Sequence, residues 1–246
     1  MAALHRGRSS QRHRRERCQV RGQCWKVVGP LTQIGRPDLA LEQARRGFAF
    51  GPGGPWDPWY SELADHLADA ALARGDGQEA LRVRAQAFRA APGQAFYVQL
   101  HQAALDQGEW DQLRADTEAQ MADQAPTEWV VVLLDQDRVD EAWQFAESAA
   151  SKPGRGVWER LLSARGQVHP ADVLPHYQTL VDASLVSTGR HYYESAGAWL
   201  VLLRGFAEAA DQHDWFQAYL RQLWEGARRR PACREIFSRL GLVPGQ

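Results

Sequence analysis

The chain has 246 residues, of which 44% are hydrophobic and 24% are charged, a composition typical of a globular protein. It contains no run of about 20 apolar residues, so no transmembrane helix is predicted, and its arginine-rich start lacks the apolar core of a secretory signal. Three cysteines, Cys18, Cys24 and Cys233, give no disulfide framework. A reducing, cytoplasmic environment is therefore expected.

The net charge of −1 hides an uneven distribution along the chain. Residues 1–21 carry seven arginines and one glutamate, whereas residues 57–148 carry 18 acidic and 6 basic side chains. Residues 221–239 are again basic, with six arginines and two glutamates. This asymmetry favours association with charged partners, and the acidic middle favours a protein partner of basic or mixed charge.

Residues 1–21 show no apolar periodicity and are predicted to be disordered. Three interpretations of this segment remain open: a solvated tail, a stretch translated from an inaccurately assigned start, or a nucleic-acid-binding arm. The remainder is predicted to contain degenerate helical repeats over residues 22–150, then C-terminal helical repeats and a cap over residues 151–246. These two parts are expected to pack as one continuous array.

The clearest helical pattern lies on both sides of Gly75. Apolar side chains before it recur at the spacing of one helix face, and so do those after it. Gly75 itself suits a helix C-cap, which needs a left-handed backbone conformation. The two helices are joined by a turn of only three or four residues, which predicts an antiparallel helical hairpin. The apolar positions are Tyr60, Leu63, Leu67 and Ala71 before the turn and Ala80, Val83 and Ala87 after it.

The same hairpin recurs along the chain. The turn positions Gly35, Gly75, Gly108 and Asp137 are 40, 33 and 29 residues apart, and tetratricopeptide repeats are about 34 residues long. Five residues after each turn position stands an apolar residue: Ala40, Ala80, Leu113 and Ala142. The pattern predicts an all-α fold, a tetratricopeptide-like α-α superhelix of five or six hairpins. The alternative is an ordinary helical bundle whose turns are similar by chance.

The other elements follow in chain order. Asp57 is predicted to cap a helix that begins at Pro58, and the neighbouring aromatics Trp56, Trp59 and Tyr60 are interpreted as packing residues rather than a stacking platform for a ligand. Pro175 either moves the start of its helix or bends it. Helices are predicted at residues 24–34, 37–48, 95–106, 109–121, 126–134, 139–150, 157–164 and 170–186, followed by two long helices and a closing helix at 233–240.

No catalytic motif is present. The chain has neither a glycine-rich loop ending in Gly-Lys-Ser/Thr nor a Gly-x-Ser-x-Gly elbow. Glu62, Asp65, His66 and Asp69 share one helix, but no matching Glu-x-x-His pairs exist elsewhere, so a solvated face is predicted there. Cys233 is interpreted as a buried, unreactive thiol, and most of the ten tryptophans as core residues. Neither an enzymatic activity nor a cofactor or metal site is predicted.

The C-terminal half has a more specific pattern. Residues 135–146, 158–162 and 169–172 lead to the segment YYESAGAWLVLLRGFAEAADQHDWFQAYLRQLWEGARRR. This order of residues resembles the C-terminal helical region of bacterial SWIM zinc-finger proteins. The resemblance covers about residues 34–242, and it implies degenerate helical repeats over the first half of the chain as well.

The zinc finger of that family is missing. The family carries a C-x-C pair and a later C-x-H pair, and this sequence has neither. Cys18 and Cys24 are separated by five residues, with His13 before them, which is not the usual spacing of zinc ligands. The nucleic-acid role that the finger implies therefore does not transfer. The chain looks like the tail of the family standing alone, or like half of a split gene, and a finger encoded in an upstream frame would distinguish the two.

Two functions from different classes are consistent with these patterns. The first is a non-catalytic helical-repeat scaffold for protein–protein interaction, because solenoids of this kind offer long binding surfaces. The second is an accessory nucleic-acid-binding protein that uses the basic ends of the chain. Its candidate residues, besides residues 1–21, are Arg228, Arg229, Arg230 and Arg234.

Overall fold

The computed structural model describes residues 22–54 and 57–245. Within these ranges the chain forms 13 α-helices and one short 3-10 helix, and it forms no β-strand. The all-α prediction is thereby confirmed. Residues 129–134 are helical as well, although their three consecutive valines favour a β-strand. The predictions for residues 1–21, with His13 and Cys18, and for Trp56 lie outside the described residues.

The helices are numbered in chain order, and their ends lie within a few residues of the predicted ones. Asp57 caps α3 as expected, since its carboxylate accepts a hydrogen bond from the Tyr60 N–H at 3.3 Å. The described part of α1 covers residues 22–33. The later helices are α2 Pro37–Ala49, α3 Pro58–Ala73, α4 Gly77–Ala90, α5 Gln94–Gln107, α6 Trp110–Gln124, α7 Pro126–Asp135, α8 Val139–Ser148, α9 Arg155–Val168, α10 Pro170–Val186, α11 Arg190–Ala209, α12 His213–Gly226, the 3-10 helix Ala227–Arg229 and α13 Pro231–Arg239.

The four predicted turn positions share one backbone geometry. Gly35, Gly75, Gly108 and Asp137 all have positive φ angles, between 59° and 74°. At Gly75 the N–H donates to the Leu72 carbonyl at 2.9 Å, and the next N–H donates to the carbonyl five residues back at 3.0 Å. This pair of bonds closes a helix end in the Schellman motif. The same pair occurs at the other three positions, so the predicted anchors of the repeat are confirmed.

Two further turns of this kind were not predicted. Asp211 has a φ of 55° and Gly241 a φ of 66°, and both make the same two backbone hydrogen bonds. Asp211 lies between the apolar stripes of α11 and α12, where an aspartate tolerates the left-handed conformation better than most residues do. The repeat spacing does not indicate Asp211, because the previous turn of this kind, at Asp137, is 74 residues away.

Substitutions at two of these turns test the shared geometry. Gly75→Ala is expected to lower the free energy of unfolding by about 1 kcal/mol, because a Cβ disfavours the left-handed conformation. Asp137→Gly is expected to leave the free energy of unfolding unchanged or to raise it, because glycine adopts that conformation without steric cost. Urea denaturation followed by circular dichroism measures both changes. Equal losses of stability for the two variants would contradict a left-handed backbone conformation at both positions.

The helices form two compact units, the first ending at Trp129 and the second beginning at Val130. In the first unit α2 packs on α3, α3 on α4, α4 on α5 and α5 on α6. The close approach of α1, α2 and α3 depends on Gly47, where a Cβ would lie 2.8 Å from a Leu63 methyl carbon and 2.9 Å from the Cys24 Cβ. Nearby, the Tyr60 and Phe48 rings stack at 4.8 Å.

In the second unit α9, α10 and α11 meet around Tyr177, whose ring stacks on Phe206 at 5.3 Å. Consecutive helices from α8 to α12 again pack against one another, and α13 packs on α11. Helix α10 begins at Pro170, so Pro175 lies inside it and does not move its start. The predicted division at residue 150 and the single continuous array stay predictions. None of the described helices is long and apolar enough to span a bilayer.

Candidate functional site

The first unit contains an open cleft of about 320 Å³ between α3, α4 and α5. Four of its lining residues have small side chains or none: Ala68, Gly77, Ala80 and Ala103. Since these four residues come from three helices, the space appears only when the hairpins are packed. Its volume lies at the lower end of the range of about 300–1,000 Å³ found for small-ligand sites.

The cleft opens because α3 and α5 touch only in part. Near its beginning α5 approaches α3 through the Phe96 ring, which meets Tyr60 edge-on at 6.1 Å, and through Gln99, which donates to Asp65 at 3.0 Å. Further along both helices the facing residues are shorter, with Ala68 on one side and Ala103 on the other. The space left between them is closed at its base by α4.

Arg84 of α4 lies at the base of the cleft, and its side chain is only 12% exposed. Its guanidinium forms an ion pair with Asp65, donates to Gln99 Oε1 at 2.9 Å and lies 4.0 Å from an Asp69 oxygen. A buried cation is stable only with such partners. The arginine is therefore neutralised within the protein and does not make the cleft a binding site for anions.

The walls of the cleft are apolar and exposed. Leu72 of α3 is 56% exposed and Val98 of α5 is 55% exposed. Leu105, also exposed, follows one turn after the lining residue Gln102 on α5. Leu72 and Leu105 each stand three residues before a turn glycine, so equivalent positions of two successive repeats present an aliphatic side chain to solvent.

The surroundings of the cleft are acidic. Residues 57–129 carry 13 acidic and 5 basic side chains, a net charge of −8. Asp106 of α5 lines the cleft, and Asp69 of α3, which is 74% exposed, follows the lining residue Ala68. The remaining polar lining consists of the glutamines Gln99, Gln102 and Gln107. The arrangement thus combines aliphatic walls, amide groups and exposed carboxylates.

A scan against protein-family models and a search of curated protein sequences give no match to this chain. Among residues 22–54 and 57–245, no group of three or more His, Cys, Asp or Glu side chains is arranged to hold a metal ion. Burial raises the pKa of the Cys233 thiol, which is fully buried, and Cys24 is buried as well. The interpretation of Cys233 as an unreactive core thiol is consistent with this burial.

The prediction of a solvated face on α3, formed by Glu62, Asp65, His66 and Asp69, is partly wrong. Asp69 is exposed, but Asp65 pairs with Arg84, and Glu62 and His66 are half-buried. The His66 ring meets Trp25 of α1 edge-on at 6.3 Å. Glu62 Oε2 and His66 Nε2 are buried and accept or donate no hydrogen bond within the described part of the chain. The face is solvated at Asp69 and covered by α1 at His66.

Three of the four arginines proposed for nucleic-acid binding, Arg228, Arg229 and Arg234, are exposed, and Arg230 is half-buried. Arg228 and Arg229 are exposed in the 3-10 helix. Arg230 instead donates to the Leu185 carbonyl at 2.8 Å, and Arg234 lies over the Trp224 ring at 4.6 Å. Arg230 therefore contributes to packing at the end of the second unit, whereas the other three side chains are exposed to solvent, Arg234 beside the Trp224 ring.

Sequence reasoning missed an aromatic cluster in the second unit. The Trp143 and Trp158 rings stack at 5.8 Å, and His176 meets both edge-on at 5.2 and 5.3 Å. Lys152 lies 5.0 Å from the Trp158 ring and Arg165 lies 5.5 Å from the Trp143 ring. The helical spacing of Trp143 indicated burial, but the partners from α9 and α10 were not identifiable before the helices were placed.

The two cations of this cluster are already paired. Lys152 forms an ion pair with Glu147 at 2.5 Å. Arg165 forms one with Asp140 and donates a further hydrogen bond to Asp172 at 2.8 Å. Because each cation has both an aromatic and a carboxylate partner, the cluster joins α8, α9 and α10 and does not form an anion site. Of the nine described tryptophans, Trp129 and Trp143 are buried and the other seven are half-buried.

Three half-buried histidines predict a loss of stability in acid. Burial lowers the pKa of His66, His101 and His176, and neighbouring carboxylates only partly oppose it. Because the pKa is about 6.5 in the unfolded chain, the unfolded state binds more protons once the pH falls below that value. The free energy of unfolding is therefore expected to fall as the pH is lowered through 6.5, until the folded histidines are protonated as well.

Urea denaturation at neutral pH and at about pH 5.5 measures this effect. A variant with His66→Gln, His101→Gln and His176→Gln should show a smaller change between the two conditions than the native chain. The charged neighbours that remain in both proteins are Asp69 at His66, Arg114 and Glu118 at His101, and Glu147, Lys152 and Asp172 at His176. Equal pH dependence in the two proteins would exclude the histidines as its source.

Proposed function

We propose that this chain is a non-catalytic helical-repeat scaffold that binds a protein partner. The observation that carries the proposal is the cleft of the first unit, where the exposed aliphatic residues Leu72 and Val98 stand beside exposed carboxylates. Scattered exposed aliphatic residues are ordinary, but aliphatic residues grouped around a concave site are typical of protein-binding surfaces. Helical hairpins stacked in sequence supply such surfaces in repeat proteins.

The charge of the first unit supports a partner that is basic or of mixed charge. With a net charge of −8 over residues 57–129, long-range attraction should accelerate encounters with a positively charged partner and disfavour an acidic one. Since exposed charges are screened by salt, with a Debye length of about 8 Å at physiological ionic strength, the affinity should fall as the salt concentration rises.

Affinity capture with matched charge variants tests this proposal. The full chain is immobilised, partners are captured from an extract of the source cells, and elution is followed over a salt gradient. Asp69→Lys with Asp106→Lys should reduce capture of the partner strongly. Glu208→Lys with Glu225→Lys changes the net charge equally on exposed positions of the second unit and should reduce it little. Absence of any reproducible protein partner, or equal effects of the two variants, would contradict the proposal.

The alternative, an accessory nucleic-acid-binding protein, is supported by the exposure of Arg228 and Arg229. The acidic first unit opposes it. Gel-shift assays of the full chain with duplex and single-stranded nucleic acid, at low and at moderate salt, discriminate between the two functions because phosphate contacts weaken steeply with salt. A shift that disappears in the Arg228→Ala and Arg229→Ala double variant would favour the alternative.

Membership of the SWIM zinc-finger family and a cytoplasmic location stay predictions. The family is tested by the genomic sequence upstream of the coding region. If an upstream frame encodes a C-x-C pair followed by a C-x-H pair, the chain corresponds to the C-terminal part of such a protein. Its partner would then be expected to act together with that zinc finger.

A further inference from the structure

We propose that the cleft between α3, α4 and α5 binds one aliphatic side chain of an extended partner segment, and that Asp69 and Asp106 pair with lysine or arginine residues beside it in that segment. This inference rests on the proposed scaffold function and names the chemistry of its partner. A protein segment of this composition matches both parts of the site, the apolar walls and the exposed carboxylates.

The base of the cleft selects an apolar side chain. Ala68, Ala80 and Ala103 present methyl groups to the space, and Ala68 and Ala80 are themselves almost fully buried. Arg84 has its charge neutralised by Asp65 and a further hydrogen bond to Gln99. An acidic side chain would therefore gain no free cation in the cleft, whereas an aliphatic side chain would remove apolar surface from water.

The walls complete the apolar part of the site. Leu72 and Val98 stand on facing helices and are each more than half exposed. A leucine, isoleucine or methionine side chain placed between them would cover both. Burial of one such side chain stabilises a complex by about 1.5–3 kcal/mol, which corresponds to about a tenfold to hundredfold change in affinity.

The rim supplies groups for the backbone and for cations. The amides of Gln102 and Gln107 line the cleft, and an amide side chain can both donate to and accept from a peptide backbone. The amide of Gln99 is instead held by Arg84 and Asp65. Gln102 Nε2 donates to Asp106 Oδ1 at 2.8 Å, which orients the amide and leaves carboxylate lone pairs available. Asp69 is 74% exposed. One exposed carboxylate on α3 and one on α5 suit a segment that carries basic residues near its aliphatic one.

Selection from a phage library of random dodecapeptides tests the composition of the segment. The full chain is the bait. The expected result is enrichment of peptides in which an aliphatic residue stands within a few residues of lysine or arginine. Enrichment of acidic peptides, or no enrichment at all, would overturn the inference.

A binding assay with one enriched peptide tests its location. The peptide is labelled and its affinity is measured by fluorescence polarisation. Leu72→Gln with Val98→Gln removes the apolar walls at exposed positions and should weaken binding about tenfold or more. Asp69→Asn with Asp106→Asn should weaken binding several-fold and reduce its salt dependence. Val168→Gln with Leu202→Gln, at exposed positions of the second unit, should leave the affinity unchanged.

The outcomes separate this inference from the proposed function. If a cellular partner is captured by the native chain and is captured equally by the Leu72→Gln, Val98→Gln variant, the cleft assignment is wrong and the scaffold function stands. If the native chain captures no partner, the scaffold function itself fails. Circular dichroism spectra and urea denaturation of each variant verify that the helices remain folded, so a loss of binding reports on the cleft.

Discussion

Replacing Tyr97 by alanine is expected to lower the free energy of unfolding by about 3–5 kcal/mol, the range measured for buried aromatic residues. Tyr97 is 1% exposed. Its ring makes edge contacts with Phe88, Trp110 and Trp129 at centroid distances of 6.4, 5.8 and 5.7 Å. These partners come from α4, α6 and α7, so the side chain fills the space where successive hairpins meet. Its removal leaves a cavity that no neighbouring aromatic ring can fill without moving.

The next residue along the chain provides the control. Val98 is 55% exposed, and Val98→Ala is expected to change the free energy of unfolding by no more than about 0.5 kcal/mol. Chemical denaturation followed by circular dichroism measures both variants. A Tyr97→Ala loss as small as that of Val98→Ala would mean that Tyr97 does not lie at the centre of the first unit.

The second large effect concerns two glycines in helices of the second unit. In Gly166→Ala the new Cβ would lie 2.6 Å from Phe206 Cζ and 2.8 Å from Phe206 Cδ1. Phe206 is buried and stacks on Tyr177, so the ring has little freedom to move away. Overpacking of this kind costs about 1–3 kcal/mol, whereas replacing a glycine inside a helix by alanine gains about 0.5–1 kcal/mol. The free energy of unfolding is therefore expected to fall, by up to about 2 kcal/mol.

Gly205→Ala should have the opposite sign. Gly205 lies inside α11 and is exposed, and a Cβ there would meet nothing within 4 Å. Because glycine is about 0.5–1 kcal/mol less favourable than alanine in a helix interior, the substitution should stabilise the protein by a similar amount. The pair is measured by thermal or urea denaturation. If both substitutions stabilised the protein, the contact between Gly166 of α9 and the Phe206 ring of α11 would be less close than the structure shows.

The local structure was largely predictable because it depends on residues close in sequence. A left-handed residue between two apolar stripes defines a hairpin turn, which is why Gly75 and Asp137 were identified correctly. The N-cap at Asp57 follows from the same local chemistry. Asp211 was missed because the repeat spacing becomes irregular before it. The same left-handed turn forms at Asp211, but the interval between turns no longer predicts its position.

The candidate site was not predictable in the same way. Ala68, Ala80 and Ala103 look like ordinary small core residues in the sequence, and only their meeting between three helices creates the cleft. Arg84 and Asp65 are 19 residues apart, so their ion pair depends on the rotation of α3 against α4. The acidic character of the region was visible from composition alone. Charge could therefore suggest the class of partner, but not the place where it binds.

The central claim about this protein is that a protein partner binds at the cleft of the first unit. Site-specific photo-crosslinking in living cells tests it directly, with a benzoylphenylalanine in place of Gln102 at the rim or in place of Arg229 in the exposed 3-10 helix. A discrete protein adduct is expected from the Gln102 position and none from the Arg229 position. Adducts from the Arg229 position alone, whether with nucleic acid or protein, would contradict the claim.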